Sequence, residues 1–226
     1  MLLSFAGFAC SRTDTNPAEV PAPKNDEALV EREAPASQQD PAEAAPQTKQ
    51  IVLAGGCFWC VEAVYEELDG VLDVESGYAG GDAATANYNA VKTGRTKHAE
   101  VARITYDPSK ITLGTIYRVF FSTAHDPTTL NRQGFDVGPQ YRSAIFYATP
   151  EQKKIAEDYI KQLDAEGIYQ SPIVTTLEPL EKFYPAEDYH QDYARRNPND
   201  GYINNVSTPK VKKTKQAFPE LLKDKD

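Results

Sequence analysis

Ile51-Val52-Leu53-Ala54-Gly55-Gly56-Cys57-Phe58-Trp59-Cys60 is the stretch on which the reading of this chain turns. Four apolar residues in a row predict a short buried strand, and two glycines break it. Val61, Val64, Tyr65 and Leu68 then recur at helical spacing, with Glu62, Glu66 and Glu67 turned away, until Gly70 stops the helix. This order puts Cys57 at a helix N-terminus, where unpaired N–H groups and the helix dipole favour an anion. A thiol so placed is expected to have a lowered pKa. Gly55 and Gly56 allow a sharp turn and an open approach to the sulfur. Cys60 shares the first turn of the helix, at a separation compatible with a disulfide. The plain alternative is a pair of buried cysteines on an apolar helix face.

Outward from this point, Val71 to Tyr78 reads as a second strand, followed by the Gly-rich loop Gly77-Tyr78-Ala79-Gly80-Gly81-Asp82. Ala99 to Tyr106 alternates as a strand does. Leu113, Ile116, Tyr117, Phe120, Phe121 and Ala124 mark an amphipathic helix, and Arg142 to Tyr147 another strand. Thr149-Pro150-Glu151-Gln152 has the form of a capping box with proline at the first helical position. Its helix carries Ile155, Tyr159 and Leu163 and ends by Gly167; Ile173 to Leu177 follows as a strand. Strands and helices mix throughout, so the class is α/β or α+β.

The chain has 226 residues, enough for one sizeable domain. Its net charge of −9 argues against nucleic acid or an anionic membrane surface as main partner. The basic run Lys210 to Lys215 is the exception and reads as a solvated tail over residues 214–226 and just before them. Cys10, Cys57 and Cys60 are too few for a disulfide scaffold or a four-thiolate zinc site. Methionine occurs only at Met1, so the body of the protein has no thioether to oxidise. Residues 1–10 are apolar, end in small residues and meet Cys10, which resembles the end of a bacterial lipoprotein signal; a secretory remnant is the alternative. Residues 11–49 hold six prolines and eight acidic residues against four basic ones. Such a stretch buries too little apolar surface to order itself and reads as a disordered acidic linker. A membrane tether through Cys10 and a cell-envelope location are then expected, with a cytoplasmic location as the alternative. The folded domain is expected over 50–213.

Gly56-Cys57-Phe58-Trp59 resembles the signature of the A-type peptide methionine sulfoxide reductases (MsrA). The resemblance continues through Asn87-Tyr88-Asn89-Ala90-Val91, Thr96-Lys97-His98-Ala99-Glu100, His125-Asp126-Pro127, Arg132-Gln133-Gly134 and Asp136 to Ser143. It closes with Phe183 to Gln191 and Pro209-Lys210-Val211, in the family's order. A C-x-x-C alone is a weak signal; these blocks together are strong. The resemblance implies a two-layer sandwich, a mixed sheet with helices packed on it around a ferredoxin-like core. It also implies roles. Cys57 attacks the sulfoxide sulfur and Glu100 protonates the departing oxygen. Tyr88 and Tyr141 hydrogen-bond that oxygen, and Asp136 orients substrate or a water. Phe58 and Trp59 cradle the substrate methyl, and the S epimer is reduced.

The residues themselves support part of this. Glu100 shares a period-2 face with Ala102, Ile104 and Tyr106, while Arg103 and Thr105 lie on the other. A carboxyl among apolar neighbours has a raised pKa and suits the acid that a sulfoxide oxygen needs. Without the resemblance, a surface carboxylate at a strand end would be the plainer reading. Attack leaves a sulfenic acid on Cys57, which a second thiol must condense with. Position 60 is usually glycine in the family and resolving cysteines often lie in the C-terminal tail; here no cysteine follows Cys60. A Cys57–Cys60 disulfide, reduced by a thioredoxin-like partner, is therefore expected in a monomer with a catalytically silent tail.

Three other readings compete: a thioredoxin-like disulfide oxidoreductase; a hydrolase pairing Cys57 with His98, His125 or His190; and a non-enzymatic surface lipoprotein. No dinucleotide fingerprint, P-loop or metal constellation appears, so no cofactor is expected and reducing equivalents come from another protein or a small thiol.

Overall fold

The computed structural model describes residues 16, 19–26 and 48–224. The sequence reading of residues 1–10, with Cys10, lies outside the described residues, as do 27–47 of the expected linker.

Strand β1 (Lys49–Gly55) is central because its apolar run is buried on both sides. It pairs antiparallel with β3 (Ala99–Tyr106) and with β6 (Ser143–Tyr147), so that Leu53 faces Ala102 on one side and Ile145 on the other. Outside β3 lie β2 (Val71–Ala79) and β8 (Phe183–Pro185), and outside β6 lies β7 (Thr176–Pro179), the one parallel partner. The order is β7-β6-β1-β3-β2-β8. A two-residue hairpin, β4 (Arg132–Gln133) with β5 (Asp136–Val137), stands apart from this sheet.

Ile51, Leu53, Ala102, Ile104, Tyr106 and Ile145 point to the main core. There they meet α1 (Phe58–Tyr65), α3 (Leu113–Val119) and α4 (Pro150–Ala165). The opposite side chains, among them Val52, Ala54, Val101 and Phe146, form a smaller cluster closed by Leu180 and Phe183. This is the expected two-layer arrangement of mixed sheet and helices. The capping box also holds: Thr149 accepts from the Gln152 N–H at 3.2 Å, and the Gln152 side chain accepts from the Ala148 N–H at 2.7 Å. The helix beginning at Leu113 widens into a π turn over Phe120–Ala124. There Ser122 and Thr123 hydroxyls and the Tyr169 hydroxyl take carbonyls of that helix as acceptors.

The strand expected over Ile173 to Leu177 runs over Thr176–Pro179 instead, and Glu62, expected to turn away from the apolar face, is buried. Two longer segments also differ from the sequence reading. Residues 19–26, taken as linker, dock across α3 and α4. Val20 is fully buried in the main core. Its carbonyl accepts from Arg118 Nε at 2.9 Å, and the Pro21 carbonyl accepts from the Tyr159 hydroxyl at 2.6 Å. Asp26 accepts from the Gly114 N–H at 2.9 Å, so close that a Cβ on Gly114 would lie 2.2 Å from the Asp26 carboxyl carbon. One buried valine and several long-range hydrogen bonds order a stretch whose composition alone would not. The basic run, read as a solvated tail, forms α6 (Thr208–Ala217) instead. Lys212 is exposed and Lys215 pairs with Glu67 at 2.8 Å, but Lys210, Lys213 and Lys215 are half-buried, and Thr214 and the following Phe218 are fully buried. Two apolar or hydroxyl positions at helical spacing were enough to seat it against α1.

Candidate active site

Gly56 has φ +88°, and a Cβ there would lie 2.5 Å from Gln133 Cγ. Only glycine turns the chain so sharply in that space, and the turn delivers Cys57 to the N-cap of α1. Cys57 and Cys60 are both buried and unbridged. Directly across the sheet, Glu100 on β3 is 3% exposed, and its Oε2 accepts from the Phe58 N–H at 3.2 Å. Burial pushes this carboxyl up to about 8, against the pull of the Phe58 bond, with Asp136 and Cys60 adding to the rise. Glu100 therefore holds its proton at neutral pH, as its apolar face predicts.

Three hydroxyl or carboxyl groups converge from separate elements. Tyr88 opens the short helix α2 (Tyr88–Val91), whose cap is the Asn87 side chain accepting from the Ala90 N–H at 3.0 Å. Tyr141 ends a 3-10 turn, Pro139–Tyr141, and Asp136 lies on β5. Tyr141 is raised by burial first, then by Glu100, Asp136, Cys57 and Tyr88; Tyr88 is raised by burial, then Glu100 and Cys57. Both stay hydroxyl donors. Phe58 packs 5.0 Å from the His190 ring, and Trp59 stacks at 3.8 Å on Tyr193 while its indole N–H donates to His190 at 3.2 Å. A buried thiol, a carboxyl raised by burial, two phenols and an aromatic wall thus stand together in a site shielded from water.

The family model for peptide methionine sulfoxide reductase matches residues 49–222. This chain belongs to that family. It is 50% identical over 176 residues to peptide methionine sulfoxide reductase MsrA 2 of Synechocystis, covering 78% of this chain and 82% of that protein. It is 53% identical over 178 residues to MsrA 1 of Rhodopirellula baltica, covering 79% and 91%. Among solved structures, reduced Mxr1 of Saccharomyces cerevisiae is similar at TM-score 0.62 and 38% identity, over 72% of this chain and 91% of that one. Methionine sulfoxide reductase A of Corynebacterium diphtheriae is similar at TM-score 0.59 and 37% identity, over 70% and 78%. As a member of the family the chain is an oxidoreductase that returns methionine sulfoxide in proteins to methionine.

One expectation for this reductase is reversed. The place of Cys57 at the helix N-terminus predicts a lowered pKa. Burial instead pushes Cys57 up, reinforced by Cys60 and Glu100. Cys60 is drawn down, first by the bond from the Cys57 thiol and further by Lys210. The first N–H of the helix is already given to Glu100, so it does not serve the sulfur.

The histidines take structural places. His125 bonds to the Phe120 carbonyl at 2.9 Å and to the Ser143 hydroxyl at 2.6 Å, and burial lowers it to about 3. His98 bonds to the Asp82 carbonyl at 2.9 Å. Neither ring reaches Cys57 with a hydrogen bond. Sequence reasoning missed Tyr202, whose hydroxyl donates to Asp136 at 2.5 Å and lies 3.8 Å from the Cys60 sulfur. It also missed Tyr193 under Trp59, and Glu187, which accepts from the Tyr78 hydroxyl and the Tyr88 N–H, both at 2.9 Å. Glu187 stood in a recognised block and could have been found there. Tyr202 gave no signal: it lies 66 residues from Asp136 and 142 from Cys60.

Among the described residues, no helix is long and apolar enough to cross a membrane.

Proposed function

We propose that Cys57 is the nucleophile for the sulfur of an S-configured methionine sulfoxide and that Glu100 donates the proton to its oxygen. The observation that carries this is the buried Glu100 carboxyl bonded to the N–H next to Cys57, where burial pushes it up to about 8. Cys60 takes the Cys57 proton as the sulfur attacks. Tyr88 and Tyr141 donate to the oxygen in flight, Asp136 orients the substrate, and Phe58 and Trp59 receive its methyl. Methionine leaves, and Cys57 holds a sulfenic acid. Cys60, one turn along α1, condenses with it to a disulfide, and a thioredoxin-like dithiol reduces that disulfide by exchange. Support for Cys60 as resolver is its place on the same helical turn and the lack of any later cysteine.

Replacing Cys57 tests the first role and replacing Cys60 the second. Cys57→Ser abolishes reduction. Cys60→Ser releases one methionine per enzyme and then stalls with thioredoxin; normal cycling in that variant would remove Cys60 from the reaction. The proposal extends to a monomer tethered through a lipid on Cys10, supported by the apolar run that precedes this cysteine. The mass of the mature N-terminus in the native host, read with and without lipidated Cys10, tests it.

A further inference from the structure

Tyr202 has no part in the reaction as set out above, yet it touches the pair of sulfurs. Asp200 holds it in place: its Oδ1 accepts from the Tyr202 N–H at 2.8 Å and the Ile203 N–H at 3.1 Å. The ring meets Trp59 edge-on with centroids 5.9 Å apart. Its hydroxyl then stands between two groups, 2.5 Å from Asp136 Oδ2 and 3.8 Å from Cys60 Sγ. A phenol has one proton. The carboxylate takes it, because a charged acceptor at that distance outcompetes a thiol. Toward Cys60 the phenol oxygen presents only a lone pair. A contact between a Cys60 thiol and this oxygen therefore runs one way, with sulfur donating. Cys60 is fully buried, so its proton must leave through a neighbouring protein group.

We propose that Cys60, Tyr202 and Asp136 form a proton relay that activates the resolving thiol. This rests on Cys60 as resolver. After the first step Cys57 is a sulfenic acid and Cys60 a thiol. The Cys60 proton passes to the Tyr202 oxygen as the Tyr202 proton passes to Asp136. The Cys60 thiolate attacks the Cys57 sulfur; the S–S bond forms and the S–O bond breaks. The departing hydroxide takes the proton from Asp136 and leaves as water. The sulfenic acid is the oxidant, so no other is needed: one sulfenic acid and one thiol give one disulfide and one water. Tyr202 touches a reacting sulfur and is a catalytic residue for resolution, not for sulfoxide reduction.

Rapid-quench kinetics of full-length Tyr202→Phe separate the two steps. The variant keeps the ring and its packing on Trp59. The first equivalent of methionine still appears, with a loss much smaller than that in disulfide formation. Disulfide formation slows about 100-fold, the scale of losing a proton-transfer group, and dimedone traps the accumulated sulfenic acid. Resolution in the variant also becomes steeper with rising pH, because hydroxide must now remove the Cys60 proton. A wild-type rate of disulfide formation overturns the relay, and so does an equal loss in both steps. Cys60→Ser run alongside separates the failures. If it stalls while Tyr202→Phe resolves normally, the relay alone is wrong. If it cycles normally with thioredoxin, both the resolver and the relay fall.

Discussion

The two sides of helix α1 carry matching carboxylates with different work. On the front, Glu100 is 3% exposed, accepts from the Phe58 N–H and is pushed up to about 8 by burial. On the back, Glu62 is 1% exposed, accepts from the Asp192 N–H at 3.2 Å and is also pushed up to about 8, burial leading. Glu66 beside it rises to about 7 for the same reason. Yet only the front has a thiol, two phenols and an aromatic wall within reach. A raised carboxyl is therefore not itself a mark of catalysis. What distinguishes Glu100 is the company it keeps; Glu62 faces Asp192, Glu66 and Ser76.

The sharpest way to break this comparison is to remove the acid from each side. Glu100→Gln is expected to lower kcat/KM for methionine sulfoxide by about 10²- to 10⁴-fold, the range for a lost general acid. Glu62→Gln should leave it within about twofold. Comparable losses would mean that the back of the helix governs the chemistry. The next effect is in pH dependence. Glu100 must be protonated to act, so wild-type kcat/KM falls as pH rises through about 8, with Glu100 as the cause. That alkaline limb should persist in Glu62→Gln and be absent from the residual activity of Glu100→Gln.

Stability sharpens the comparison further, because here the two sides should agree. Both carboxyls have folded pKa values above the unfolded carboxylate range of about 4. Each favours the protonated fold, so its stabilisation is complete below about 4 and is lost as pH rises through about 8. Denaturant midpoints of either Gln variant should fall less than the wild type between pH 5 and pH 9. A Glu62→Gln curve parallel to wild type would show that its carboxyl is not held protonated. The smallest effect is an untitratable one. Val20→Ala removes apolar contact from the same core and should cost about 1–3 kcal/mol at every pH, without tilting the curve or changing kcat.

Much of the fold was legible because it is written in short-range pattern. Ile51 to Ala54 is apolar throughout, and the strand it forms is buried on both faces. The period-2 face of Glu100 predicted both its burial and its raised pKa. Phe120 to Ala124 continued the helix in pattern but not in geometry, since side-chain hydroxyls compete for its carbonyls. Residues 19–26 and α6 were misread for one reason: their order comes from docking, and their composition holds only a few apolar residues such as Val20 and Phe218.

The sequence by itself determined the strand–Gly-Gly–Cys57–helix junction, the acid on an apolar strand face and the family these blocks define. Each depends on spacing within one element, which the backbone's periodicity dictates. Only the tertiary structure decided that Cys57 is pushed up, for that depends on burial and on the nearness of Cys60 and of Glu100 from another strand. It alone brought Tyr202 to Asp136 and Cys60, a contact made by chain closure over long separations that no local pattern encodes.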